Sequence, residues 1–337
     1  MQSKRAFLSL TTAAALAGVV GISTAWAQTP TTVRVDGSST VFPISEAVAE
    51  EFQRAQRGAV RVTVGTSGTG GGFARFCRGE IDITGASRPV RAAELEACRA
   101  AGIRFIELPV AFDALTVAVH RDNTWVRQLT VQQLRTIWEP AATGRITNWR
   151  QVDPSFPDRP LTLFGPGTAS GTFDYFTEAI MGESGKSRTD FMASEDDNVI
   201  VMGVARDRNA LGYVGMAHYL ANQDRLRSVS VVPAAGGAAV APTMDNVIAG
   251  TYQPLARPLF IYVSERALQR PEVRQFSEFF LNNGARLSRE VGFVPLPAEA
   301  YTIAAGHLRD NRFGTRFAAG TPTIGVRIQE VMQREPR

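Results

Sequence analysis

The sequence predicts an α/β protein with parallel strands, large enough to divide into two lobes. Three observations carry that prediction. Over residues 32–86 short strand-like runs alternate with amphipathic helical runs in the order strand, loop, helix, strand, loop, helix, strand. Three strand-to-helix junctions are rich in Gly, Ser and Thr: Gly37-Ser-Ser-Thr40, Gly65-Thr-Ser-Gly-Thr-Gly-Gly-Gly72 and Gly165-Pro-Gly-Thr-Ala-Ser-Gly-Thr172. Behind a leader-like start, about 310 residues remain, enough for two cores rather than one.

The elements follow in order. Lys4 and Arg5, the apolar run Ala6–Val20 and the small-x-small triplet Ala25-Trp26-Ala27 read as a secretory signal peptide over residues 1–27, cleaved near Gln28, with the Sec route expected and the twin-arginine route the alternative that Lys4-Arg5-Ala-Phe-Leu8 leaves open. Cysteine is absent at the cleavage point, so no lipid anchor is expected, and no later run reaches the ~18 apolar residues of a membrane span. Thr32–Val35 is a strand, and Pro43–Arg54 a helix whose Ile44, Val48 and Phe52 recur on one face. Val60–Val64 alternates as a second strand, a helix carrying Phe73, Phe76 and Cys77 follows, and Ile81–Ala86 is a third strand. The run from Glu107 to His120 is long for one strand and holds Pro109 and Asp113, which suggests a crossover between lobes. Further on, Leu161–Phe164, Gly212–Gly215 and Leu259–Val263 read as strands. Helices are expected over Val199–Arg206, Pro271–Asn282 and Gly325–Gln333, and a loop over Ala234–Ala241.

Charge excludes one class of partner. Of 36 Lys+Arg against 32 Asp+Glu, Lys4 and Arg5 leave with the leader, so 34 against 32 gives the exported chain a net charge of +2, too balanced for a nucleic-acid binder. Cys77 and Cys98, the only cysteines, would meet an oxidising compartment and are expected to form one structural disulfide. His120, His218 and His307 stand in no metal-ligand spacing, so neither metal nor cofactor is expected.

The three junctions carry the chemistry. The first amides of a helix lack intrahelical partners and its dipole leaves positive charge there, so each junction is suited to an anion, with hydroxyls adding neutral donors. Taken alone, each is also ordinary helix capping. The second lacks the Gly-Lys-Ser/Thr ending of a Walker A loop. Ser170-Gly171-Thr172 is the most specific, two hydroxyls flanking a residue that permits close backbone approach. Phe42, Phe73 and Tyr175 lie at core spacing behind the loops.

Five segments together resemble the periplasmic phosphate-binding proteins of phosphate ABC importers, the PstS family: Asp36-Gly-Ser-Ser-Thr-Val-Phe-Pro43, Ser67-Gly-Thr-Gly-Gly-Gly-Phe73, Ile81-Asp-Ile-Thr-Gly-Ala-Ser-Arg-Pro89, Ser170-Gly-Thr172 and Ala210-Leu-Gly-Tyr-Val-Gly215. The resemblance implies a type II periplasmic binding protein fold with a mixed sheet in each of two lobes, flanking helices and a ligand cleft between them. Lobe I would comprise 28–112 plus 258–337, and lobe II 113–257. It implies a periplasmic monomer, not an enzyme, that binds inorganic phosphate and delivers it to an inner-membrane permease. Carried over residue by residue, the phosphate ligands would be Ser39, Thr40, Val41, Ser67, Thr69, Ser170, Gly171 and Thr172. Many members have an arginine where this chain has Pro166 and an aspartate where it has Arg88. Arg88 is therefore the expected cation, and the acceptor for the phosphate proton is sought among Asp36, Asp113 and Asp197. Two other readings stand beside this one: a binder of sulfate, arsenate or molybdate, and an exported phosphatase. The second lacks any serine-histidine partner or G-x-S-x-G turn.

Overall fold

Three parallel strands build the first part of the sheet. The computed structural model describes residues 31–168, 170–194, 196–317 and 327–336, so the expected leader lies outside the described residues. In chain order come β1 (Thr31–Gly37), α1 (Phe42–Ala55), β2 (Val60–Val64), α2 (Gly68–Cys77), β3 (Ile83–Ala86) and α3 (Ala92–Ala100). β1 pairs in parallel with both β2 and β3. Parallel strands joined by helical crossovers present their carboxyl ends on one side. The loops after β1, β2 and β3 therefore open together.

Bare α-carbons allow α2 to lie directly on those strands. A Cβ on Gly72 would stand 2.4 Å from Thr84 Oγ1 and 2.6 Å from Gly37 Cα, and Gly37 itself has φ +133°. Phe73 and Phe76 on the same helix are fully buried, their rings 4.8 Å from Tyr262 and 6.2 Å from Phe105. A disulfide between Cys77 and Cys98 ties the end of α2 to α3. Their separation of 21 residues corresponds to about 3 kcal/mol of lost unfolded-state entropy. A Cys77→Ala/Cys98→Ala variant is accordingly expected to lose about that much in urea unfolding; a loss near zero would mean that packing alone holds the two helices.

β4 (Phe105–His120) is a single strand of 16 residues that changes partners. Its first part pairs with the returning strand over Phe105–Ala114. From Leu115 it pairs with the second group of elements. Pro109, opposite Phe260, lies where the register shifts and Val110 is left without a partner, and a bulge of this kind is a place in a sheet that tolerates proline.

The second group comprises β5 (Gln128–Thr130), α4 (Val131–Trp138), α5 (Trp149–Val152), β6 (Thr162–Pro166), α6 (Gly171–Met181), β7 (Met192–Ser194), α7 (Asp197–Arg206), β8 (Ala210–Gly215), α8 (Met216–Leu220), β9 (Leu226–Ser228), β10 (Ser230–Val232) and α9 (Met244–Ile248). β6 runs parallel to β7 and β8, so the third Gly/Ser/Thr junction leaves a strand's carboxyl end like the first two. The chain returns through β11 (Ala256–Ser264), antiparallel to both β3 and β4, then α10 (Pro271–Glu290), β12 (Val294–Pro295), α11 (Ala298–Arg309) and α12 (Ile328–Met332). One mixed ten-stranded sheet results, in the order β2-β1-β3-β11-β4-β8-β6-β7 with β9 and β12 also on β4; β5 and β10 form a separate pair.

Two expectations about helices change. α10, expected to end at Asn282, runs on to Glu290, and Gly284 lets it sit against α11: a Cβ there would lie 2.8 Å from the Tyr301 ring. The last helix starts at Ile328, and the part expected at 325–326 lies outside the described residues. Among the described residues no helix is long and apolar enough to cross a membrane.

Candidate functional site

The first two loops are locked to each other by a buried carboxylate. Asp36, at the end of β1, accepts the Gly37 amide (2.7 Å) and the Ser67 amide (2.9 Å) on one oxygen and meets the Arg75 guanidinium with the other. Burial pushes its pKa up, but the Ser67 and Gly37 amides, the Ser67 hydroxyl and Arg75 outweigh that and hold it below the usual carboxylate range. A carboxylate so committed positions the loops and has no oxygen to spare for a ligand proton. The Ser38 amide bonds Gly85 O, while the Val41 and Phe42 amides turn back to Ser38 O.

These loops form one wall of a cavity of about 230 Å³, and α6 forms the opposite wall. Ser39 and Thr40 contribute from the first loop, Gly68, Thr69 and Gly70 from the second, Ser87 and Arg88 from the turn after β3, and Asp174 and Glu178 from α6. Thr69 and Ser87 are joined through their hydroxyls at 3.2 Å, and Thr69 Oγ1 also accepts the Ser87 amide. The third loop meets the first by direct contact: a Cβ on Gly171 would stand 2.9 Å from Thr40 Oγ1 and 3.3 Å from Thr40 Cα. Ser170 caps α6, its hydroxyl accepting the Thr172 amide at 3.2 Å.

Not every residue expected at the site lines this cavity. Ser39, Thr40, Thr69 and Arg88 do; Ser67, Ser170, Gly171 and Thr172 are next to it in sequence but not among its lining residues. Val41 is a core residue, 1% exposed, with its amide committed to Ser38. Asp197 opens α7 and pairs with His218 at 2.9 Å, which raises the imidazole's pKa. Asp113 is buried behind the cavity, where burial pushes its pKa up even though Arg257 pulls it down.

Arg88 reaches the cavity, but its fork is closed on Glu94. Nη1 and Nη2 lie 2.9 and 2.7 Å from the two carboxylate oxygens, and Nη1 also donates to Pro89 O. Glu94 is fixed in turn by the Arg91 amide at the start of α3.

Sequence reading did not single out a second arginine that lines the cavity, Arg257. It stands on β11 opposite Asp113 in the β4 pairing, with its side chain only 13% exposed. The guanidinium lies 3.4 Å from Asp113, 3.3 Å from Glu178 and 3.4 Å from Thr40 Oγ1, and 3.7 Å above the Tyr175 ring. Tyr175 is held by its own hydroxyl, which donates to Pro254 O at 2.7 Å. One arginine therefore touches the first loop, α6 and the strand shared by both groups of elements. A signal was present: a charged residue heads the apolar run 256–263, and another interrupts the run 107–120. Such an arrangement, loop hydroxyls beside a guanidinium largely withdrawn from solvent, is suited to holding an oxyanion. Among the described residues no cluster could hold a metal ion.

Comparison with known proteins agrees with this chemistry. Residues 23–283 match the family model described as the PBP superfamily domain. The chain is 53% identical to protein SphX of Synechococcus elongatus, across 98% of this chain and 97% of that protein. It is 36% identical to the phosphate-binding protein PstS of Staphylococcus saprophyticus, across 82% of this chain and 84% of that protein. Among solved structures, that of a possible phosphate binding protein from Planctomyces limnophilus superposes with a TM-score of 0.79 at 43% identity, covering 83% of this chain and 98% of that one. By these matches the chain belongs to the PBP superfamily and, within it, to the family of phosphate-binding proteins that includes PstS and SphX.

Proposed function

We propose that the chain is the substrate-binding component of a phosphate ABC importer: it captures inorganic phosphate reversibly and hands it to a membrane permease, without covalent change. The observation that carries this reading is the cavity in which the loops after β1 and β2 face α6 across Arg257. Phosphate sits there among the Ser39, Thr40 and Thr69 hydroxyls and nearby amides, with Arg257 as the principal cation and Ser170 to Thr172 closing from the side of α6. The protein works as two lobes of a type II binding fold, 28–112 plus 258–337 and 113–257, hinged where β4 and β11 cross. A small ligand contacted from both lobes favours the closed state by its differential affinity. The chain acts as a monomer in the periplasm, exported by the leader at 1–27.

Titration calorimetry tests the reading: heat is expected with inorganic phosphate and little with sulfate. Binding of sulfate without phosphate would overturn it. A narrower test concerns closure. Valine at Gly171 would push branched carbons into Thr40. Gly171→Val is expected to cost about 1–3 kcal/mol, the usual cost of overpacking, divided between weaker phosphate binding and a lower thermal midpoint of the free chain. Unchanged affinity would mean that the α6 start and the first loop need not touch when phosphate is bound.

A further inference from the structure

The oxyanion cavity borders a second chamber of different character. This one measures about 260 Å³ and shares Ser87, Arg88, Glu178 and Arg257 with the first. Beyond those shared residues its wall is largely apolar, formed by Phe112, Tyr175, Val247, Pro254, Phe317 and Val331 among others. An apolar cavity of about 150 Å³ suffices to hold benzene. The chamber begins at Arg257, the arginine assigned above to the anion.

We propose that the site also accepts oxyanions carrying an apolar substituent, phosphonates or phosphate monoesters, with the anionic head in the polar cavity and the substituent in the second chamber. The inference rests on the phosphate reading, because the head group uses the same loops. Arg257 stands at the junction, its Nη2 toward Thr40 in the polar cavity and its flat face on Tyr175. Glu178 bounds the same junction from α6. A substituent leaving the tetrahedral head past this pair enters a wall of aromatic and aliphatic side chains, where burying carbon is favourable.

The experiment is calorimetric titration of the chain with inorganic phosphate, methylphosphonate and phenylphosphonate, in the wild type and in Ala179→Phe and Ile248→Trp, two variants that fill the chamber without touching the polar cavity. Phenylphosphonate is expected to bind about tenfold or more tightly than methylphosphonate and to be displaced by phosphate. The chamber-filling variants should abolish that advantage and leave phosphate affinity within about twofold. Two variants are used so that one failing to fold, seen as lost phosphate binding, leaves the other to decide. Phosphate binding with no preference for the phenyl compound, or a preference that survives the filled chamber, overturns this inference and leaves the phosphate reading standing. Absence of phosphate binding in the wild type overturns both.

Discussion

Arg257→Gln is expected to weaken phosphate binding by about 2–5 kcal/mol, roughly thirty- to several-thousandfold, as measured by calorimetry. The guanidinium is shared between two ion pairs, 3.4 Å to Asp113 and 3.3 Å to Glu178, with Thr40 Oγ1 at 3.4 Å, and no carboxylate grips it through two donors at once. A ligand oxyanion could therefore claim its donors without breaking a tight pair. Arg88 offers the contrast. Its two bonds to Glu94 are 2.9 and 2.7 Å, so an arriving anion would have to displace a bidentate carboxylate. Arg88→Gln should consequently cost less than about tenfold. Removal of Arg257 also leaves Asp113 buried without its cation, and stability should fall with affinity. The double variant Arg257→Gln/Asp113→Asn separates the two effects: it should recover the thermal midpoint and still fail to bind phosphate tightly. If Arg257→Gln binds normally and Arg88→Gln does not, the charge comes from the turn after β3, as the sequence alone suggested.

That contrast shows which parts of the site were legible. The three loops could be read because capping chemistry and helical periodicity are local, confined to a dozen residues after each strand. Arg257 could not, because its partners are 217, 144 and 79 residues away in the chain. Only the antiparallel pairing of β11 with β4 sets it opposite Asp113. Arg88 is a subtler case. The chain places it beside the loops, yet its charge is answered six residues later by Glu94, whose position depends on how α3 begins. Asp36 carries the same lesson in reverse: a carboxylate at the mouth of a glycine loop looks available until both its oxygens are found holding that loop together.

Selectivity turns on the carboxylates that do face the cavity. At neutral pH phosphate retains a proton that it can donate, whereas sulfate presents only lone pairs, so a carboxylate on the wall accepts a hydrogen bond from the first and repels the second. Asp36, Asp113 and Asp197 are respectively committed, buried behind Arg257 and paired with a histidine on another element. Asp174 and Glu178 stand on the wall, one helical turn apart on α6. Asp174 already accepts the Ser184 hydroxyl at 2.9 Å, so Glu178, whose ion pair among the described residues is with Arg257 at 3.3 Å, is the better acceptor. Its side chain is 41% exposed, and solvent screening places its contribution toward the low end for a charged hydrogen bond. Glu178→Gln should narrow the preference for phosphate over sulfate by about 1–2 kcal/mol, roughly five- to thirtyfold. Most of the change should appear as tighter sulfate binding, because a glutamine oxygen can still accept the phosphate proton while the negative charge is gone. Asp174→Asn should change the ratio less. A preference for phosphate that survives both substitutions would mean that discrimination comes from the loop donors, and that the carboxylates of α6 serve only to hold Arg257 between ligands.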